Sequence, residues 1–202
     1  MKIKLLQKKS KYIAGFTLVE LVVSLAIMGI MMSVVAFQHR GFSERIQLQN
    51  TAYELALVIR EAQSYGINVR QEGSGSGAGF DGVYGVYLSD QSNNNDTNKT
   101  YYLFYDTNEN IENVSFNVNQ DEIIAEYTLP VGQSIADVYP CGGGAGPEVN
   151  SLTIMFKRPS PEAIMKSNGN NTLTQGCILI ESQNRYSEII QVNSTGRITI
   201  EE

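Results

Sequence analysis

The sequence predicts an α+β fold, in which one long N-terminal helix packs on an antiparallel β-sheet domain. Three observations predict it. The chain opens with an apolar run interrupted by a single acid. Apolar residues then recur at three- and four-residue steps, the spacing of one helix face. From residue 82 onward short β-branched and aromatic runs alternate with Gly-, Asn- and Ser-rich turns, the pattern of strands.

From Phe16 to Phe37 the only ionisable side chain is Glu20. At 1.5 Å of rise per residue this run makes a helix of about 33 Å, long enough for a hydrocarbon core of about 30 Å. Residues 1–15 before it carry Lys2, Lys4, Lys8, Lys9 and Lys11 and no acid. Lysines beside a span stay on the cytoplasmic side, so residues 16–38 are expected to cross the membrane with the N-terminus inside and residues 39–202 outside. Gln38, His39, Arg40 and Gly41 fall at headgroup level, where His39 and Arg40 reach water or phosphate. Residues 39–66 continue the helix amphipathically, with Ile46, Leu48, Ala52, Leu55, Ala56, Ile59 and Ala62 forming the apolar set and Glu44, Arg45, Glu54, Arg60 and Glu61 interleaved. No proline occurs before Pro130, so nothing interrupts the helix.

Residues 67–202 are expected to form the outer, β-rich domain. Gly73 to Gly79 alternates Gly with Ser and Ala and reads as a loop. Strands are predicted at Gly82 to Leu88, Thr100 to Tyr105, Glu122 to Leu129, Ser134 to Tyr139, Ser151 to Phe156, Gly176 to Glu181, Ser187 to Val192 and Ile198 to Ile200. Turns fall at Ser89 to Lys99, Asp106 to Asn110, Cys141 to Pro147, Ser167 to Asn171 and Asn193 to Gly196.

The whole chain carries a formal charge of −6; its first 15 residues contribute five positive charges, so the remainder carries −11. That balance argues against general phosphate-backbone binding, which needs clustered Lys and Arg, and only Lys157 and Arg158 are adjacent among the later basic residues. Two cysteines, Cys141 and Cys177, fall on the outer side. An even number in an oxidising compartment reads as one disulfide. The rival, a zinc site, has only two Cys, no CxxC and no nearby His. The sequence predicts no enzyme: its single His39 sits at the membrane edge, and no GxSxG, HExxH or P-loop pattern occurs. No cofactor is expected. Asp106, Asn108, Asn110 and Glu112 alternate as oxygen donors like the first half of a calcium loop, but Ile111 replaces the turn glycine and Asn117 the bidentate acid. A polar hairpin turn is the favoured reading of that stretch.

Glycine at residue 15 lies on the charged side of the apolar run, the reverse of an ordinary secretory signal, so a cut there leaves the span on the mature chain. Gly15-Phe16-Thr17-Leu18-Val19-Glu20 with its basic leader resembles the precursors of type IV pilins and pseudopilins. The resemblance implies cleavage between Gly15 and Phe16 by a prepilin peptidase, N-methylation of Phe16, and assembly with other pilins at an inner-membrane platform. It also implies that Glu20 neutralises the Phe16 amine of a neighbouring subunit. Many pilins carry a proline near the membrane exit, where this chain has Phe37. Ala52 to Gly66, Tyr102 to Asn110, and Ile189 to Ile200 with its Thr195-Gly196-Arg197 turn are similar to segments of the H-type pseudopilins and FimT-like minor pilins. The expected function is that of a minor pseudopilin or minor pilin of a type II secretion or type IV pilus filament. The alternative is a filament-displayed module for DNA uptake or adhesion, with the charge of the outer domain against DNA.

Overall fold

A computed structural model describes residues 15–68, 83–91, 98–106, 116–118, 120–141, 149–167, 171–184 and 186–201, the side chains of 37–41 and 171 excepted. The chain divides into two units, Met1–Phe42 and Ser43–Glu202. Helix α1 covers Leu18–Ile67 and contributes to both. In the first unit every described side chain from residue 15 to 36 is exposed, and Leu18–Ala36 is long and apolar enough to cross a membrane.

In the second unit α1 buries Leu48, Ala52, Leu55, Ile59 and Ala62, a run of four- and three-residue steps that forms one stripe. Ile46, expected in that set, is exposed. Two residues before Leu48 it lies about 200° around the helix from it, off the stripe.

Ten strands follow among the described residues. They are β1 (Val83–Ser89), β2 (Thr100–Asp106), β3 (Glu122–Thr128), β4 (Gln133–Pro140), β5 (Ser151–Lys157), β6 (Ala163–Ser167), β7 (Asn171–Leu173), β8 (Gln175–Ser182), β9 (Ser187–Asn193) and β10 (Ile198–Glu201). A six-stranded sheet has the order β3-β2-β1-β5-β6-β7 and a four-stranded sheet the order β10-β9-β8-β4. Every pairing is antiparallel. The class is therefore α+β, as the periodicities predict.

Side chains from α1 and from the inner faces of both sheets meet in one core, which includes Leu55, Ile59, Val86, Ile154, Phe156, Ile178 and Ile190. The outer face of the six-stranded sheet carries a second, smaller cluster: Val83, Phe104 and Met155 packed with Tyr87, Phe116 and Ile164. Phe116, in the β2–β3 connection, stacks on Tyr87 and Tyr102 with ring centroids 4.5 and 5.3 Å away. The central strands are thus covered on both sides, which is why β1 reads as a nearly continuous apolar run.

The end of α1 is fixed by close approach. A Cβ added to Gly66 would lie 2.7 Å from the Phe156 Cβ, so only glycine lets the helix meet β5 there. Three residues earlier, Gln63 Nε2 donates to the carbonyls of Pro161 (2.9 Å) and Gly196 (3.2 Å). Gly196 takes φ +80°, and its N–H donates to Asn193 O while Asn193 N–H donates to Arg197 O, which turns β9 into β10.

Candidate functional site

The first residues described form the start of α1. Gly15, Phe16 and Thr17 precede the helix, and Leu18 begins it. Thr17 is its N-cap: the Glu20 N–H donates to Thr17 Oγ1 at 3.2 Å, and the Leu21 N–H donates to Thr17 O at 3.2 Å. Threonine followed by glutamate three residues on is the spacing of a capping box, a signal present in the sequence itself. Glu20 therefore stands in the first turn of the helix, where the partial positive charge of the N-terminus favours a carboxylate. The position serves the helix start within the chain itself, before any neighbouring subunit is invoked.

The Gly15–Phe16 junction is open. A Cβ on Gly15 would meet nothing within 4 Å, and Phe16 is 76% exposed. The fold places no steric demand on glycine at this position. Further along, Ser24 Oγ donates to Leu21 O at 2.9 Å, so the hydroxyl is satisfied by the helix's own backbone and adds little cost in an apolar surrounding.

The other predicted positions lie in the second unit. Cys141 and Cys177 are joined in a disulfide with Cα atoms 5.3 Å apart. Tyr139 pairs with Cys177 across β4 and β8, so the bond fastens the chain just beyond the end of that ladder. Of the oxygen-donor series, Asp106 closes β2 and is 2% exposed, on the face that Phe104 and Phe116 occupy. Asn108, Asn110 and Glu112 lie outside the described residues, as do residues 1–14 of the leader. The side chain of His39 also lies outside the description. What the structure brings near Asp106 is Asp121, whose Oδ2 accepts the Asn117 N–H at 2.6 Å. Burial pushes the Asp121 carboxyl above its ordinary value of 3.8, and the charge of Asp106 adds to the rise while the Asn117 N–H opposes it.

Comparison with known proteins bears on the N-terminal site. Residues 10–36 match the family described as the prokaryotic N-terminal methylation motif. The matched stretch, a type IV pilin-like prepilin signal, takes in the Gly15–Phe16 junction, Glu20 and the exposed apolar part of α1 that is long enough to cross a membrane. Neither the curated proteins nor the solved structures gave a match.

Proposed function

We propose that this chain is a structural subunit of a membrane-built filament, a minor pseudopilin or minor type IV pilin, and not an enzyme. A prepilin peptidase cuts after Gly15, the new Phe16 amine is methylated, and the helix passes through an inner-membrane assembly platform into a filament of related subunits. Before assembly the Lys-rich end stays in the cytoplasm and the β-rich unit lies in the periplasm, as the positive-inside rule directs.

The observation that carries this reading is Glu20 in the first turn of a helix whose other side chains from Leu18 to Ala36 are uncharged and all exposed. Such a helix has no stable place in water and needs lipid or other helices around it. A carboxylate among them costs roughly 3 kcal/mol unless it is paired, and a neighbour's Phe16 amine is a partner of the right charge. Loss of one side of a buried ion pair costs about 3–5 kcal/mol, enough to decide whether a subunit enters the filament. The narrower H-type or FimT-like reading draws support from the Thr195-Gly196-Arg197 turn between β9 and β10 and from the α1 segment ending at Gly66.

Mass spectrometry of the mature N-terminus tests the processing route: a peptide beginning with methylated Phe16 is expected, and a chain starting at Met1 or beyond Phe37 overturns it. Glu20→Ala tests assembly. The variant is expected to be made and cleaved yet absent from sheared filaments; normal incorporation rejects the role.

A further inference from the structure

The four-stranded sheet ends at β10, and among the described residues no strand pairs with its other side. The remaining sheet edges are blunted, as exposed edges usually are. β3 carries a register shift around Ile124 together with Glu122 and Glu126, and β4 carries one around Ala136 and ends at Pro140. β7 is only three residues long. β10 pairs with β9 without a shift and contains neither proline nor lysine.

The backbone groups that β10 offers follow from its hairpin. Asn193 N–H donates to Arg197 O at 2.9 Å, so these opposed residues form a hydrogen-bonded pair. Such pairs alternate along an antiparallel ladder. Thr199 with Gln191 and Glu201 with Ile189 are therefore bonded across β9 and β10 as well. Ile198 and Ile200 turn their N–H and C=O groups the other way, to the open edge. Their side chains face the core, where Ile198 is buried and Ile200 is only partly covered. Arg197, Thr199 and Glu201 share the opposite face and line one pocket there with Gln191. Gln191 Nε2 donates to Glu201 Oε2 at 3.1 Å and steadies that carboxylate.

The order Arg-Ile-Thr-Ile-Glu over residues 197–201 is complementary to its own reverse. Laid antiparallel on a second copy about Thr199, it sets Arg197 opposite Glu201, Ile198 opposite Ile200 and Thr199 opposite itself. The outward groups of Ile198 then meet those of Ile200, and each such pair exchanges both N–H···O bonds. Arg197 and Glu201 oppose each other at non-hydrogen-bonded positions, where Cα atoms stand about 4.5 Å apart and side chains meet most closely. A slip of two residues either way sets Thr199 opposite Arg197 or Glu201 and breaks both charge pairs. A slip of one residue faces the outward groups with backbone already bonded to β9. We propose that β10 is a self-recognition strand, which pairs with β10 of a second copy of this chain and joins two four-stranded sheets across a two-fold axis. The pairing uses only the second unit and is independent of the filament reading.

So short an edge makes a contact at the small, transient end of interface sizes, and it is best read residue by residue. Amide exchange of the full-length chain is followed by NMR with detergent micelles in excess over chains and protein raised to about 1 mM. The N–H groups of Ile198 and Ile200 are expected to exchange fast when dilute and to slow roughly threefold once free chain reaches about twice the Kd. Thr199 N–H, bonded to β9 in either state, is the internal reference. Arg197→Glu opposes like charges and weakens the pairing roughly tenfold, and adding Glu201→Arg restores it. Exchange at Ile198 and Ile200 that does not depend on concentration overturns the self-pairing. So does a concentration dependence that Arg197→Glu leaves intact, or one that the doubly reversed chain fails to regain. Glu20→Ala, which tests filament assembly, leaves the β10 comparison unchanged, so the two readings fail separately.

Discussion

Asp121 shows how a single half-buried carboxylate ties stability to pH. Its carboxyl is pushed above 3.8 chiefly by burial, with Asp106 adding to the effect. A carboxyl whose folded value is raised binds its proton more readily in the native than in the unfolded chain. Its contribution to stability is therefore present at low pH and is lost as pH rises from 3.8 through the folded value. Asp121→Asn removes that titration and keeps an amide oxygen for the Asn117 N–H. Thermal melts of the detergent-solubilised chain should show the variant melting above the parent at pH 7, with the gap closing as pH approaches 3.8. A gap that stays constant with pH contradicts the assignment. Nothing in the sequence pairs Asp106 with Asp121; the alternating Asp and Asn residues from 106 to 112 point to a local turn, whereas Asp106 is buried near a residue fifteen positions away. Other residues were more legible. Gly66 stands where the helical pattern ends, although the reason for glycine there is contact with Phe156 rather than a left-handed turn. Thr17 and Glu20 carry a capping signal in their spacing alone.

At the scale of elements, strands rich in β-branched and aromatic residues are readable, and short strands that lack both those residues and a period of two are not. β6 contains Lys166 and Ser167, both buried, so Ala163 to Ser167 shows no period of two. β7 spans only three residues, Asn171–Leu173. Both strands owe their places to pairing with β5 and with each other. The same limit hid the covering of the outer face. Phe116 lies between polar residues, and only the fold shows it stacked over Tyr87 and Tyr102 and touching Phe104, with centroids 5.0 Å apart. Gly85 makes that packing possible, since a Cβ there would stand 2.7 Å from the Phe104 ring. Aromatic truncation in such a cluster removes both buried area and ring contacts. Phe116→Ala is expected to cost about 2–4 kcal/mol. Phe116→Leu, which keeps most of the apolar volume, should lose clearly less. Urea titration measures both, and equal midpoints for Phe116→Ala and the parent would show that the ring does not hold the connection down.

At the scale of the molecule, the two units solve different problems. The second has a core shared by one helix and two sheets, whereas the exposed helix of the first needs lipid or neighbouring helices. The architecture was legible because two periodicities and one apolar run specify it; the division of strands between two sheets was not, because it depends on pairings such as β4 with β8 that span some forty residues. The disulfide acts on that long-range pairing. Cys141 and Cys177 are 36 residues apart, and in the chain-entropy model a loop of that length stabilises the folded state by about 3–4 kcal/mol. β4 and β8 are already paired through to Pro140 and Gly176, so the native ladder does not require the bond to hold its register. The bond acts mainly on the unfolded chain, by limiting how far β4 and β8 separate across the β5–β7 segment between them. Cys141→Ser with Cys177→Ser should therefore keep the native circular dichroism while melting about 6–16 °C lower, at about 2–4 °C per kcal/mol for a chain of this size. Melts with and without reductant make the measurement: the parent should fall to the double variant's value on reduction, and the double variant should not respond. A loss of sheet signal at low temperature would show instead that the bond is needed to build the ladder.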